Sequence, residues 1–523
     1  MFVVGCGRHE RPVDAGIRTQ TLHWGNLGEP ADLDPHLMTS LYEYNIGLAL
    51  FEGLTRPHPE TADPMPGVAE RWTSQEDHTR WTFYLRPNAR WSNGDPVTAH
   101  DFAFAVQRTL SPALASPYAY PLFILQNAEA YATGHETDFR RVGVEVLDEH
   151  TLRFLTRDPA PHLPKLVSHS AWFPVHRASI QRFGRMDERG THWTRPGNLV
   201  GNGPFTLSQW TPHQVIRVTA TPTYWDRASI RLREVHFHVI DTASAEEAAF
   251  RAGQLHVTTT LPTERIPVYQ KDPERRAALR QQTFFATYYY RFNVRQPPLD
   301  DARVRRALAW AIDRAAIVGA GGGDHTAAYG FVPPGLSDYP GEPLFQEQLA
   351  EARQLLAAAG FPQGLGFPRL ELLFNRSDNN QQIAEAVQEM WRRQLGIEVE
   401  LVSKEAKVYL QDVASGAYQI ARSATIGDYL DASSFLEMLT STSGNNQTGW
   451  SHTTYDALVE RARRAVGSER VTLLRDAEGI LLQEMPIAPI YFYTQSTLVH
   501  PSVKGWHGNL LNVHPLHAVY LER

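Results

Sequence analysis

A chain of 523 residues exceeds what one hydrophobic core ordinarily supports, so two or three domains are expected. Its 42% hydrophobic and 20% charged residues are those of a globular protein, and a net charge of −7 argues against the basic face that nucleic-acid binding needs. The single cysteine, Cys6, excludes internal disulfides and cysteine-based metal clusters.

In chain order, residues 7 to 18 are polar and read as a disordered tail. Thr21, Leu22, His23 and Trp24 read as a strand, Leu33-Asp34-Pro35 as a turn, and residues 44–54 as a helix that turns Leu48, Leu50, Phe51 and Leu54 inward. Trp81, Phe83 and Leu85 alternate with Thr82, Tyr84 and Arg86, the period of a half-buried strand. Asn93-Gly94-Asp95-Pro96 then turns the chain, and Thr98 with Asp101 three residues on predicts a helix start, backed by Phe102, Ala105, Val106 and Leu110. Ser116-Pro117-Tyr118 marks a turn, and residues 144–155 predict a hairpin turning at Asp148-Glu149. Val235, Phe237 and Val239 alternate as a strand, and a helix over 245–252 closes at Gly253. Residues 370–374, 379–394 and 397–402 read strand, helix, strand, with Ile383, Ala386, Val387, Met390 and Trp391 on one helix face. That order implies parallel pairing through a right-handed crossover. No stretch of about 18 apolar residues is present.

Enzyme signatures are missing. The run from Gly319 to Asp324 is glycine-rich but follows a helix and lacks the Lys-Ser/Thr of a phosphate cradle. No G-x-S-x-G elbow or H-E-x-x-H pair occurs. His236 and His238 share a strand face, yet two ligands are too few for a metal, and a solvated face with no metal is the expectation. Twelve tryptophans would suit sugar stacking, but Trp81, Trp91, Trp210 and Trp225 read as core.

The segment from Trp81 to Phe102, with Trp91, Gly94, Pro96, Thr98, Ala99 and Asp101 in order, resembles the signature of the periplasmic oligopeptide- and dipeptide-binding proteins of ABC importers, the family 5 extracellular solute-binding proteins. Further blocks agree: Gly201-Asn202-Gly203-Pro204-Phe205, Pro222-Thr223-Tyr224-Trp225-Asp226, Tyr288-Tyr289-Tyr290 with Asn293, Pro298-Leu299-Asp300-Asp301, and Asn445-Asn446-Gln447-Thr448-Gly449-Trp450. The resemblance implies an α/β, two-lobed periplasmic binding protein fold with mixed sheets, an additional inserted domain and a hinge between lobes. It implies a tail over 1–17, a first lobe from 18–54, 181–286 and 496–523, an inserted domain over 55–180, and another lobe over 287–495. The implied activity is capture of a peptide, without cofactor or catalysis, for delivery to an inner-membrane ABC permease by a monomeric periplasmic protein. Murein peptides, nickel chelates, haem and oligosaccharides are cargoes of the same fold, and a secreted hydrolase is a more distant alternative.

By the same resemblance, Asp428 pairs with a peptide's α-ammonium group, and Arg422 lies near the ligand backbone or carboxylate. Asn375, Tyr118 and Thr448 resemble ligand-lining positions, as do Thr39 and Leu41, whose strand-like backbone would pair with the ligand. Asn380, Arg291 and Ala406 depart from the better-known oligopeptide binders, and Ala286 and Ile426 stand where some relatives have a disulfide pair. Val3-Val4-Gly5-Cys6 resembles the end of a bacterial lipoprotein signal, which makes Cys6 a candidate for lipid attachment.

Overall fold

The computed structural model describes residues 10–320, 325–427 and 429–523. The chain divides into two compact units, one of residues 1–280 with 496–523 and one of residues 281–495. It therefore passes between units twice, within the long strands Leu279–Phe292 and Ile487–Leu498.

The first unit holds two four-stranded sheets. One runs in the order Thr21–Gly25, Glu234–His238, Val215–Ala220, Phe205–Thr211; its first pair is parallel and the rest antiparallel. Leu22, Trp24, Val235, Phe237, Ile216 and Val218 line one face of it and bury against Ile46 and Leu50. The last part of the chain closes this core: Val499, Val503, Trp506 and Leu516 join it, with Trp506 edge-on to Trp24 at 4.7 Å. The other sheet, Ala69–Ser74, Arg80–Leu85, Thr151–Leu155, Val144–Asp148, is antiparallel throughout. Trp81, Phe83 and Leu85 are buried on one side of it, as the alternation predicts, and the helix Ala99–Thr109 starts at the Thr98–Asp101 capping box.

The second unit is built on a six-stranded mixed sheet: Thr326–Ala327, Ile487–Leu498, Leu279–Phe292, Ile420–Ile426, Leu370–Asn375, Val399–Lys404. Leu370–Asn375 pairs in parallel with both Val399–Lys404 and Ile420–Ile426, and the 18-residue helix Asp378–Leu395 makes the expected crossover. That helix buries Ile383, Val387 and Trp391, and Gly396 ends it at φ 72°, a left-handed conformation glycine adopts without strain.

Three local expectations change. The tail contains a helix, Pro12–Thr19: Pro12 opens it, Asp14 and Arg18 match its dipole, and Val13 and Gly16 are buried. The helix expected over 44–54 is Leu41–Leu50, because Ser40 and Glu43 form a reciprocal capping box three residues earlier than the apolar spacing suggests. Leu41 is thus helical and offers no strand-like edge. Trp81 and Trp91 are core, whereas Trp210 and Trp225 are only partly buried and donate Nε1 to Glu29 (2.7 Å) and Glu52 (2.6 Å).

Candidate functional site

In the second unit, the strand Ile420–Ile426 presents Arg422 at its middle, opposite Tyr290 on the neighbouring strand. The guanidinium lies 4.7 Å over the Tyr288 ring, donates to the Tyr493 hydroxyl at 3.0 Å and reaches Asn375 Oδ1 at 3.4 Å. Asn375 ends its parallel strand beside it, and is held there by Asn380, whose buried amide donates to the Asn375 backbone oxygen (3.0 Å) and to Oδ1 (3.1 Å). The polyaromatic wall continues with Tyr491, stacked on Tyr288 at 4.8 Å and on His325 at 4.3 Å.

Arg422 has no carboxylate within ion-pair distance among the described residues, and its buried Nε has no hydrogen-bond acceptor. A half-buried cation in that condition is costly unless an anion or carbonyl completes it. Arg291 shares the condition. It is 8% exposed, donates to Ser423 Oγ (2.5 Å), the Tyr289 hydroxyl (3.2 Å) and Gln447, and faces no carboxylate among the described residues. The unit thus carries two guanidiniums that neutral groups hold in place. Such an arrangement can receive carboxylate or backbone oxygens of a ligand.

The predicted residues do not all converge. Arg422 and Asn375 are brought together. Thr448 is fully engaged elsewhere: its hydroxyl donates to Asn446 Oδ1 at 2.7 Å and accepts from the Trp450 N–H at 3.1 Å, so it fixes a turn. Asp428 and Cys6 lie outside the described residues. Ala406 is exposed at the start of its helix, and Ala286 and Ile426 are direct register partners, with no sulfur on either side chain to form a bridge.

In the first unit, Tyr118 packs its ring 5.1 Å from His169, which in turn stacks on Tyr44 of the helix Leu41–Leu50. Tyr118 and the start of that helix therefore share a neighbourhood. The Thr39 N–H, which the expected strand pairing would leave free for a ligand, instead donates to Glu43 Oε2 at 2.9 Å. Glu43 also accepts from Ala31 N–H and Ser40 N–H, at 2.9 and 3.1 Å.

Sequence reasoning missed Tyr288, Tyr491 and Tyr493 as surroundings of Arg422. The available signal was period-two spacing: Tyr288 with Tyr290, and Tyr491 with Tyr493, fall on one face of their strands. It also missed a third histidine beside His236 and His238. They are half-buried rather than solvated, and His23 of the adjoining strand stands with them.

Comparison with known proteins supplies the context. A family model described as bacterial extracellular solute-binding proteins, family 5 Middle, matches residues 63–447. The periplasmic murein peptide-binding protein MppA of Escherichia coli K12 is 36% identical over 91% of this chain and 88% of its own length. The periplasmic oligopeptide-binding protein OppA of Salmonella typhimurium LT2 is 34% identical over 98% of this chain and 94% of its own. Among solved structures, the unliganded open form of the MppA murein tripeptide-binding protein superposes with a TM-score of 0.85 at 35% identity, covering 96% of this chain and 97% of that one. The expected two-lobed α/β fold therefore holds, and the chain belongs to the bacterial extracellular solute-binding proteins of family 5.

Proposed function

We propose that this protein captures peptides in the periplasm and hands them to an ABC permease of the inner membrane, without catalysis. The observation that carries the reading is Arg422: a half-buried guanidinium, fixed by Tyr288, Tyr493 and Asn375, with an unused Nε and no carboxylate partner among the described residues. A peptide's carboxylate supplies the missing charge. Asp428, six residues on, is the proposed partner of the peptide's ammonium group, an arrangement that reads backbone ends and tolerates many side chains. Tyr118, Thr39 and Leu41 remain proposed lining positions through their side chains; Thr448 acts by shaping its turn. MppA and OppA, named for murein peptides and oligopeptides, support peptide as the cargo class.

The proposed organisation keeps a lobe of 18–54, 181–286 and 496–523, an inserted domain over 55–180, and a lobe over 287–495, closing on a ligand about the two chain crossings. The proposed carrier is a monomer tethered through a lipid on Cys6.

Calorimetric titration with unrelated tri- to pentapeptides, each free, N-acetylated and C-amidated, tests the reading. Free peptides are expected to bind and both modifications to weaken them. Murein tripeptide binding alone would narrow the cargo to cell-wall peptides. Failure of every peptide, with binding of a nickel chelate, haem or oligosaccharide instead, would overturn it.

A further inference from the structure

The strand Thr21–Gly25 runs parallel to Glu234–His238, with His23 opposite His236 and Gly25 opposite His238. Leu22, Trp24, Val235 and Phe237 go into the core, so period-two alternation sends His23, His236 and His238 to the other face of the same sheet. One ring nitrogen from each of the three lies within 4.8 Å of the others, and His23 Nδ1 stands 3.0 Å from His238 Nε2. Three imidazoles on one half-buried face do nothing for packing that aliphatic side chains would not do better.

We infer that His23, His236 and His238 form a binding site for one divalent transition-metal ion, zinc above all, in the first compact unit and apart from Arg422. A tetrahedral ion bound at about 2.0–2.1 Å holds its nitrogen ligands about 3.4 Å apart, so small rotations of the rings present complete the geometry. Imidazole ligands select zinc, copper or nickel over calcium and magnesium. The surroundings fit. Glu234 Oε2 contacts His236 Nε2 at 2.8 Å, which orients that ring and adds a negative charge, the usual support for a metal-bound histidine. His256 stacks on His23 at 5.6 Å, and its Nδ1 accepts the His23 backbone N–H at 3.0 Å, which fixes the backbone from which the first ligand projects. Arg217, cross-strand from His236, is an opposing charge beside the cluster, and its side chain is exposed, where solvent screens it. The ion would tie the first strand of the chain to a strand 213 residues later, and leave a coordination position for water or an added ligand.

The experiment uses the full chain without a histidine tag, stripped with chelator and dialysed. Zinc titration by calorimetry, cobalt absorption in the visible range, and thermal melts with and without zinc are the readouts. The expected result is one zinc per chain, tetrahedral cobalt bands and a zinc-dependent rise in Tm. His236→Gln and His238→Gln, each checked by circular dichroism, should each weaken zinc by about 100-fold and abolish the Tm rise. His507→Gln, a change outside the cluster, should leave zinc binding unchanged. Absence of stoichiometric zinc in the wild type, or binding that survives both cluster variants, overturns the site.

Discussion

Arg108 and Asp34 meet end-on: Nη1 is 2.8 Å from Oδ1 and Nη2 2.5 Å from Oδ2, and both side chains are buried. Arg108 lies in the last turn of the helix Ala99–Thr109, while Asp34 lies in the loop after the first strand, so the pair joins segments 74 residues apart. Arg108 Nε also donates to the Met186 backbone oxygen, and Nη1 contacts His36 Nδ1 at 2.9 Å. Burial pushes the Asp34 carboxyl up, but the Arg108 guanidinium outweighs it and the net shift is downward.

Asp34→Ala leaves the Arg108 charge buried and unpaired, so it should cost about 3–5 kcal/mol in urea unfolding. Replacing both partners by Leu and Met should cost less than Asp34→Ala alone, because an apolar pair needs no desolvation offset. A loss under about 1 kcal/mol for Asp34→Ala would show that the charge finds other partners.

Stability should fall as pH drops below the ordinary histidine range. Burial first of all holds His36, His169 and His517 down to about 4 and His514 to about 3, against an ordinary value of 6.5. Arg108 opposes protonation of His36 as well, and Asp34 favours it; Arg56 and His58 oppose that of His517, and Asp226 favours it. The folded values lie below the unfolded ones, so this stability is present above pH 6.5 and is lost as pH falls toward 4. Each such histidine contributes a slope of about 1.4 kcal/mol per pH unit inside that window. Urea melts between pH 7.5 and 4.5 measure it, and a flat profile would refute the neutral histidines.

Arg422→Met keeps the stem but removes the charge. It should weaken peptides with a free carboxylate by about 2–5 kcal/mol and C-amidated peptides by much less. Equal losses for both would assign Arg422 to backbone contact or to scaffolding.

Glu43 accepts three backbone N–H groups from residues 31, 39 and 40 while only 5% exposed. Glu43→Ala orphans them and should cost about 2–4 kcal/mol, with Glu43→Gln intermediate, since a neutral amide oxygen still accepts. Thermal and urea melts compare the two variants.

Intact-mass analysis of the natively produced protein should show a diacylglycerol-modified Cys6 as its first residue. An unmodified thiol there, or a mature start beyond it, removes the lipid anchor.

The strand Arg80–Leu85, the Thr98 capping box and the crossover around Asp378–Leu395 were legible in the sequence, because each is decided by side chains within a few residues of one another. The family was legible for a related reason: its blocks are local runs of turn, cap and core residues. The early start of the helix at Leu41 was legible in principle, since Ser40 and Glu43 spell a capping box, but the apolar spacing downstream masked it. What only the tertiary structure decided are the meetings of distant residues. Asn380 secures Asn375 and with it Arg422, and Tyr288 and Tyr493 close around that guanidinium from two other strands. His23 reaches His238 across 215 residues because a parallel register puts Thr21 beside Glu234. Register is fixed by which face each strand buries, an energy summed over a whole core, and no local pattern states which strand will be the neighbour.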